Sequence, residues 1–246
     1  MLEEIITIAR GAGDILLKFY HTDYEIQTKK DDSPVTQADL EADKYIVNAL
    51  KKLSADIPII SEESGIPDYK DRKQWDRFWL VDPLDGTKEF IHKNGEFTVN
   101  IALIENGVPV MGVVYVPAHD LMYYADKDQG AWKIEGKGEA KRIYSEPAGK
   151  DAPLVVVQSR SHGSEALEKY LEDYTVKDRV PAGSSMKFCL VAEGKADIYP
   201  RLGPTMEWDV AAGDCVYRYS AKEGMHQSDL TYNKPTLKNR GFVIGF

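Results

Sequence analysis

Residues 79–90 read WLVDPLDGTKEF, and this stretch decides how the rest of the chain is read. An apolar run, Phe78-Trp79-Leu80-Val81, meets two aspartates three apart, Asp82 and Asp85, with Pro83 between them and Gly86 behind. Proline fixes one backbone angle and has no N–H to donate. The spacing predicts a strand that ends in Asp82. A turn then brings both carboxylates, and the Leu84 carbonyl, toward one point. Gly86 allows close backbone approach. Thr87 and Lys88 open a short helix, whose free N–H groups and positive dipole end favour an anion. The stretch thus reads as metal ligands followed by a phosphate cradle. Taken alone, the same pair of acids also fits an ordinary turn with solvated carboxylates or a helix N-cap.

Other acids fall at comparable places. Glu62 and Glu63 follow the apolar segment IPIIS, and Asp209 opens a later helix in EWDVAAGD. Strand ends and helix starts are where ligands bind in α/β proteins. Two carboxylates about 4 Å apart repel by roughly 4 kcal/mol at an effective dielectric near 20. Several gathered together either take up protons or hold a cation. Hard oxygen ligands suit Mg²⁺, which binds through carboxylates plus substrate phosphate.

The whole-chain properties fit an ordinary soluble globular protein. The chain has 246 residues, 43% of them hydrophobic and 29% charged, with a formal net charge of −9. That charge argues against a nucleic-acid partner, which needs a basic patch. The start, MLEEIITIARGAGDILLKFY, is amphipathic and acidic, unlike a signal peptide. No apolar stretch approaches the ~20 residues of a membrane span, so no integral membrane segment is expected. The two cysteines, Cys189 and Cys215, sit outside any CxxC and suit core packing in a reduced protein. A cytoplasmic location is expected, with peripheral attachment to the cytoplasmic face of the inner membrane left open.

Periodicity gives an α/β chain. Helices are expected over 2–20 and from Thr36, as N-cap, to Leu53, the second with Ala38, Ala42, Tyr45, Ile46 and Ala49 on its apolar face. A loop, TKKDDSPVTQAD, lies between them. The β-branched runs of 98–134, broken at Asn106-Gly107, Pro117 and Gln129-Gly130, read as an antiparallel meander. Residues 136–152, rich in Gly, Lys, Glu and Pro, mark a boundary between parts 1–150 and 151–246. After it come a strand at 154–160, a helix at 163–173, a strand near 175–180 and a helix at 184–193. A strand at 196–201, a helix at 207–219 and a last strand in GFVIGF complete the pattern.

The motifs SEES (61–64), DPLDGTKEF (82–90) and EWDVAAGD (207–214) resemble those of the inositol monophosphatase superfamily, the lithium-sensitive, Mg²⁺-dependent phosphatases. The likeness spans nearly the whole chain, SPVTQAD near the start included. Within the superfamily, NGEFTVNIALI, SRSH (159–162), GSSMKFCLVAEGKADIYPR (183–201) and GPTMEWD (203–209) are similar to bacterial 3′(2′),5′-bisphosphate nucleotidases. The resemblance implies an αβαβα sandwich of helix and sheet layers. In it the N-terminal part holds the antiparallel sheet and most acids, and the C-terminal part completes the metal and nucleotide site. It also implies hydrolysis of adenosine 3′,5′-bisphosphate to AMP and phosphate by a metal-activated water, in sulfate assimilation.

Carried over by motif, the implied ligands of two or three Mg²⁺ ions are Glu62, Asp82, the Leu84 carbonyl, Asp85 and Asp209. Gly86 and Thr87 hold the scissile phosphate, and Asp209 also faces the substrate. Glu62 with the Thr87 hydroxyl, or Asp39 in their place, orients the attacking water. His162, Ser184, Lys187 and Arg201 fall where related nucleotidases contact the nucleotide. From the residues alone, Ser184 equally suits a helix N-cap, Lys187 a solvated helix face, Arg201 a surface charge and His162 a structural role. Inositol monophosphatases have a glutamate seven residues before the last aspartate that binds inositol hydroxyls, and here that residue is Leu202. Two alternatives remain: an inositol or sugar phosphatase of the same architecture, and a non-catalytic nucleotide- or metal-binding regulator.

Overall fold

The computed structural model describes residues 1–22, 26–28, 34–146, 148–149, 151–160 and 165–245, with backbone alone at 26–28 and 34–36. The chain opens with α1 (Leu2–Tyr20), the short pair β1 (Ile26–Thr28) and β2 (Pro34–Thr36), and α2 (Gln37–Leu53). Next come β3 (Ile59–Ser61), α3 (Tyr69–Arg72), β4 (Arg77–Asp85) and α4 (Thr87–Ile91). The meander is β5 (Thr98–Glu105), β6 (Val108–Val116), β7 (Leu121–Asp126), β8 (Gly130–Glu135) and β9 (Lys141–Arg142). The C-terminal part holds β10 (Leu154–Ser159), α5 (Glu165–Leu171), β11 (Val176–Ala182), α6 (Met186–Ala192) and β12 (Tyr199–Arg201). It ends with β13 (Thr205–Met206), α7 (Glu207–Arg218), β14 (Lys238–Asn239) and β15 (Phe242–Ile244).

Strands β3 to β9 form one sheet in sequence order, parallel between β3 and β4 and antiparallel thereafter. Side chains alternate across it, as strand geometry requires. On β4, Trp79 and Val81 join the core under α1 and α2, while Phe78 and Leu80 join the core under α6 and α7. β5 divides likewise, with Val99, Ile101 and Leu103 on the first face and Ala102 and Ile104 on the second. Both faces are covered, which is why these strands are near-continuous apolar runs. Gly112 lets α7 approach closely, since a Cβ there would lie 2.7 Å from Cys215 Cβ and 3.0 Å from Ala212 O. Beyond α6 lies the parallel pair β10–β11, and α5 closes the far side through Leu167 and Leu171 on Leu154, Val156 and Ile198. The order of layers is helix, sheet, helix, sheet, helix. Among the described residues no helix is long and apolar enough to cross a membrane.

Two expectations need correction, the end of β4 and the setting of Tyr45, while the expected burial of the cysteines is met. β4 does not end at Asp82: its ladder with β5 pairs Asp82 with Asn100, skips over Pro83 and Leu84, and resumes with Asp85 opposite Thr98. The missing N–H of Pro83 is accommodated by this irregularity. The first loop is flanked by the β1–β2 ladder, and the Thr36 side chain lies outside the described residues. Tyr45 is 38% exposed, because it lies over Gly11 at the rim of α1 rather than under it. Both cysteines are buried and free, and Trp79 and Trp208 are buried.

Candidate active site

The acids converge where β3 and β4 end and α2 and α7 begin. One carboxylate oxygen from each of Glu62, Asp82 and Asp209 lies within 4.8 Å of the others. At that spacing each ionised pair repels by about 3–4 kcal/mol at an effective dielectric of 20. Asp82 is buried, and its carboxyl is held well above the ordinary range, first by burial and then by the charges of Glu62, Asp85, Asp209 and Asp39. Burial, then Asp85, pushes Asp209 up to about 8, against the Met206 N–H that it accepts at 2.8 Å. Burial also raises Asp85, and the nearby Lys187 ammonium opposes it. Asp39 is buried in the first turn of α2. Five acids from four elements thus share one field. Their unfavourable charge is what a hard divalent cation would relieve, and oxygen-only donors suit Mg²⁺.

Local chemistry explains how each element delivers its residue. The Leu84 N–H donates to Asp82 Oδ1 at 3.1 Å, tying the turn, while the Leu84 side chain is buried in the core under α1 and α2. Gly86 adopts φ +91°, a conformation only glycine takes cheaply, and a Cβ there would overlap Ser184 Oγ. Thr87 is the first residue of α4, partly exposed. Ser184 has φ +47°, unusual for a residue with a side chain. Its hydroxyl donates to the Asp85 and Glu96 carbonyls at 2.8 Å each. It therefore clamps the Asp85-Gly86 turn from behind and is not the N-cap of α6, a position held by Ser185.

A cleft of about 160 Å³ runs from Asp85, Gly86 and Asp209 past Ser184 to Lys187, Tyr199 and Arg201. Lys187 is 6% exposed, not a solvated helix face. Its ammonium donates to Ser184 O at 2.6 Å and Ala182 O at 3.4 Å, and burial pulls its pKa down to about 8. Arg201 donates from Nη2 to Pro204 O at 3.3 Å, and its buried Nε has no partner. Arg201 also borders a neighbouring space of about 360 Å³ lined by Leu167, Tyr199, Pro200, Leu202 and Pro204. His162 lies outside the described residues.

Thr98, Asn100 and Ser185 were not anticipated from the sequence. Thr98 Oγ1 and Asn100 Nδ2 both lie 3.4 Å from Asp85 Oδ2. The only hint in the sequence was two polar residues, two apart, in the otherwise apolar strand TVNIALI.

Comparison with known proteins finds relatives along the whole chain. A 3′(2′),5′-bisphosphate nucleotidase CysQ from Salmonella typhimurium is 49% identical over 252 residues, covering 99% of each chain. The crystal structure of CysQ from Bacteroides thetaiotaomicron, a bacterial member of the inositol monophosphatase family, superposes with a TM-score of 0.83 and 41% identity. It covers 99% of this chain and 96% of that one. An IMPase from Thermotoga maritima gives a TM-score of 0.74 at 27% identity, over 89% and 82% of the two chains. Residues 1–220 match the inositol monophosphatase family. With its acids gathered at the layer edge and its fold shared end to end, this chain belongs to the inositol monophosphatase family.

Proposed function

We propose that this protein is a Mg²⁺-dependent 3′(2′),5′-bisphosphate nucleotidase that converts adenosine 3′,5′-bisphosphate and water to AMP and phosphate. The observation that supports it most is the convergence of Glu62, Asp82 and Asp209 within 4.8 Å beside a cleft with Lys187 and Arg201 on its other wall. Glu62, Asp82, Asp85, Asp209 and the Leu84 carbonyl hold two or three Mg²⁺ ions. Bound there, Mg²⁺ supplies charge neutralisation and a lower pKa for the attacking water.

The chain's own groups do the positioning. Gly86 and the N–H groups that open α4 receive the scissile phosphate. Glu62 and the Thr87 hydroxyl orient the water for in-line attack, with Asp39 the other candidate for that proton. The bond from phosphorus to the 3′-oxygen breaks, and AMP leaves with a hydroxyl in its place. Arg201, with a spare guanidinium N–H, grips the second phosphate, for which a planar fork is well suited. Buried Lys187 keeps that wall positive. The apolar space beyond Arg201 accommodates the base, and Ser184 lines the cleft between the two phosphate seats. Leu202 offers no carboxylate for sugar hydroxyls, which favours a nucleotide over an inositol phosphate. Free, buried cysteines suit a reducing cytoplasm, and likeness to CysQ nucleotidases supports a role in recycling the by-product of sulfate assimilation.

Phosphate release from adenosine 3′,5′-bisphosphate, inositol 1-phosphate and fructose 1,6-bisphosphate, with and without Mg²⁺, tests the reading. The nucleotide should be turned over fastest and only with the metal. Preference for either sugar phosphate would reassign the substrate, and no hydrolysis of any would leave a binding protein.

A further inference from the structure

Asn100 is 1% exposed and sits directly across the ladder from Asp82. Its amide nitrogen lies 3.0 Å from Ser185 Oγ and 3.4 Å from Asp85 Oδ2. Ser185 is 2% exposed, and its hydroxyl donates onward to the Asp209 carbonyl at 2.7 Å. The Ser185 N–H also donates to the Asp85 carboxylate. A closed path thus runs from Asp85 on β4, through Asn100 on β5 and Ser185 before α6, to Asp209 on α7.

The cost of this path argues that it is not mere filling. Asn100 Oδ1 is buried with no hydrogen-bond partner. An apolar side chain of similar size would avoid that penalty. What Asn100 provides in return is its amide, which a hydroxyl and a carboxylate share. Asp85 and Asp209 come from elements far apart in sequence that share no backbone hydrogen bond, so their spacing depends on such groups.

We propose that Asn100, acting through Ser185, is a positioning residue that sets the spacing and orientation of Asp85 and Asp209. The proposal rests on the metal-dependent reading above. Removing the relay leaves every candidate ligand present but lets two of them relax apart. Partners of this kind are typically worth 10–100-fold in metal affinity or activity.

Titration calorimetry with Mg²⁺ alone tests it, on wild type, Asn100→Ala, Ser185→Ala and the double variant. Each single variant should bind Mg²⁺ about tenfold more weakly. The double should be little worse than either single, because both cut one path. In turnover, the Mg²⁺ half-saturation point should rise more than the rate at saturating Mg²⁺ falls. A lowered melting temperature with unchanged Mg²⁺ affinity would overturn the relay, and so would additive losses in the double variant. Should Asn100→Ala fail to fold, Ser185→Ala with wild-type affinity overturns it equally. Absence of Mg²⁺ binding by the wild type would instead sink the metal-dependent reading itself.

Discussion

Protons and the metal compete for the same oxygens, and the competition has a calculable size. Without metal, Asp209 is pushed up to about 8, because it is largely withdrawn from water, though not fully buried, beside Asp85 and Glu62. With a divalent cation held there it must be ionised. The shift is upward, so the proton is bound below pH 8 and has to be displaced. Apparent Mg²⁺ affinity should therefore fall about fivefold from pH 8 to pH 7 and roughly 50-fold from pH 8 to pH 6, approaching tenfold per unit at lower pH. Asp82, raised in the same direction, steepens the fall. Calorimetry at pH 6, 7 and 8 would measure it, in two buffers of different ionisation enthalpy so that released protons are counted. At least one proton should leave per binding event at pH 6. Mg²⁺ should likewise raise the melting temperature more at pH 8 than at pH 6. Affinity that is flat from pH 6 to 8, with no proton release, would refute the convergence of these carboxylates in the metal-free protein.

Three substitutions probe other parts of the site. Asp82→Asn should nearly abolish turnover, because it removes a candidate ligand of the ion that would activate the water. The metal-free protein should melt no lower, because the amide keeps the oxygen that accepts the Leu84 N–H and leaves no carboxyl to be ionised in a buried, acidic place; circular dichroism and phosphate release would check both. Arg201→Ala should lower kcat/KM for adenosine 3′,5′-bisphosphate by at least tenfold more than for a 3′-monophosphate. Equal losses would remove Arg201 from the second-phosphate role. Gly86→Ala should be costly twice over, from φ +91° and from overlap with Ser184 Oγ. A destabilisation of about 1–3 kcal/mol by denaturant melt and a large loss of turnover are expected, and a neutral variant would contradict the tight turn.

Much of this architecture is legible in the sequence because it rests on local periodicity. The apolar stripe of α1, with Ile5, Ala9, Gly13 and Leu16 all buried, follows from spacing alone. The meander of β5 to β8 follows from β-branched runs parted by turn residues. Features set by a distant partner were not legible. The continuation of β4 to Asp85 depends on Thr98 across the ladder, and nothing within DPLD announces it. The two-residue ladder of β13 with β14 joins residues too far apart for any local signal. Lys187 reads as a surface lysine, since its burial arises only when α6 docks against Tyr199 and the Ser184 turn. Asn100 and Ser185 stand out little in sequence for the same reason: a relay exists only where four elements meet. Acids at strand ends and helix starts were visible one by one, and the fold brings Glu62, Asp82 and Asp209 together.

Diffraction from crystals soaked in Mn²⁺, a divalent ion with an anomalous signal, tests the central claim most directly. The account predicts ion peaks enclosed by Glu62, Asp82, Asp85 and Asp209, within coordination distance of their oxygens. Crystals of protein that hydrolyses the bisphosphate with Mn²⁺, yet show no peak among these four carboxylates, would contradict it.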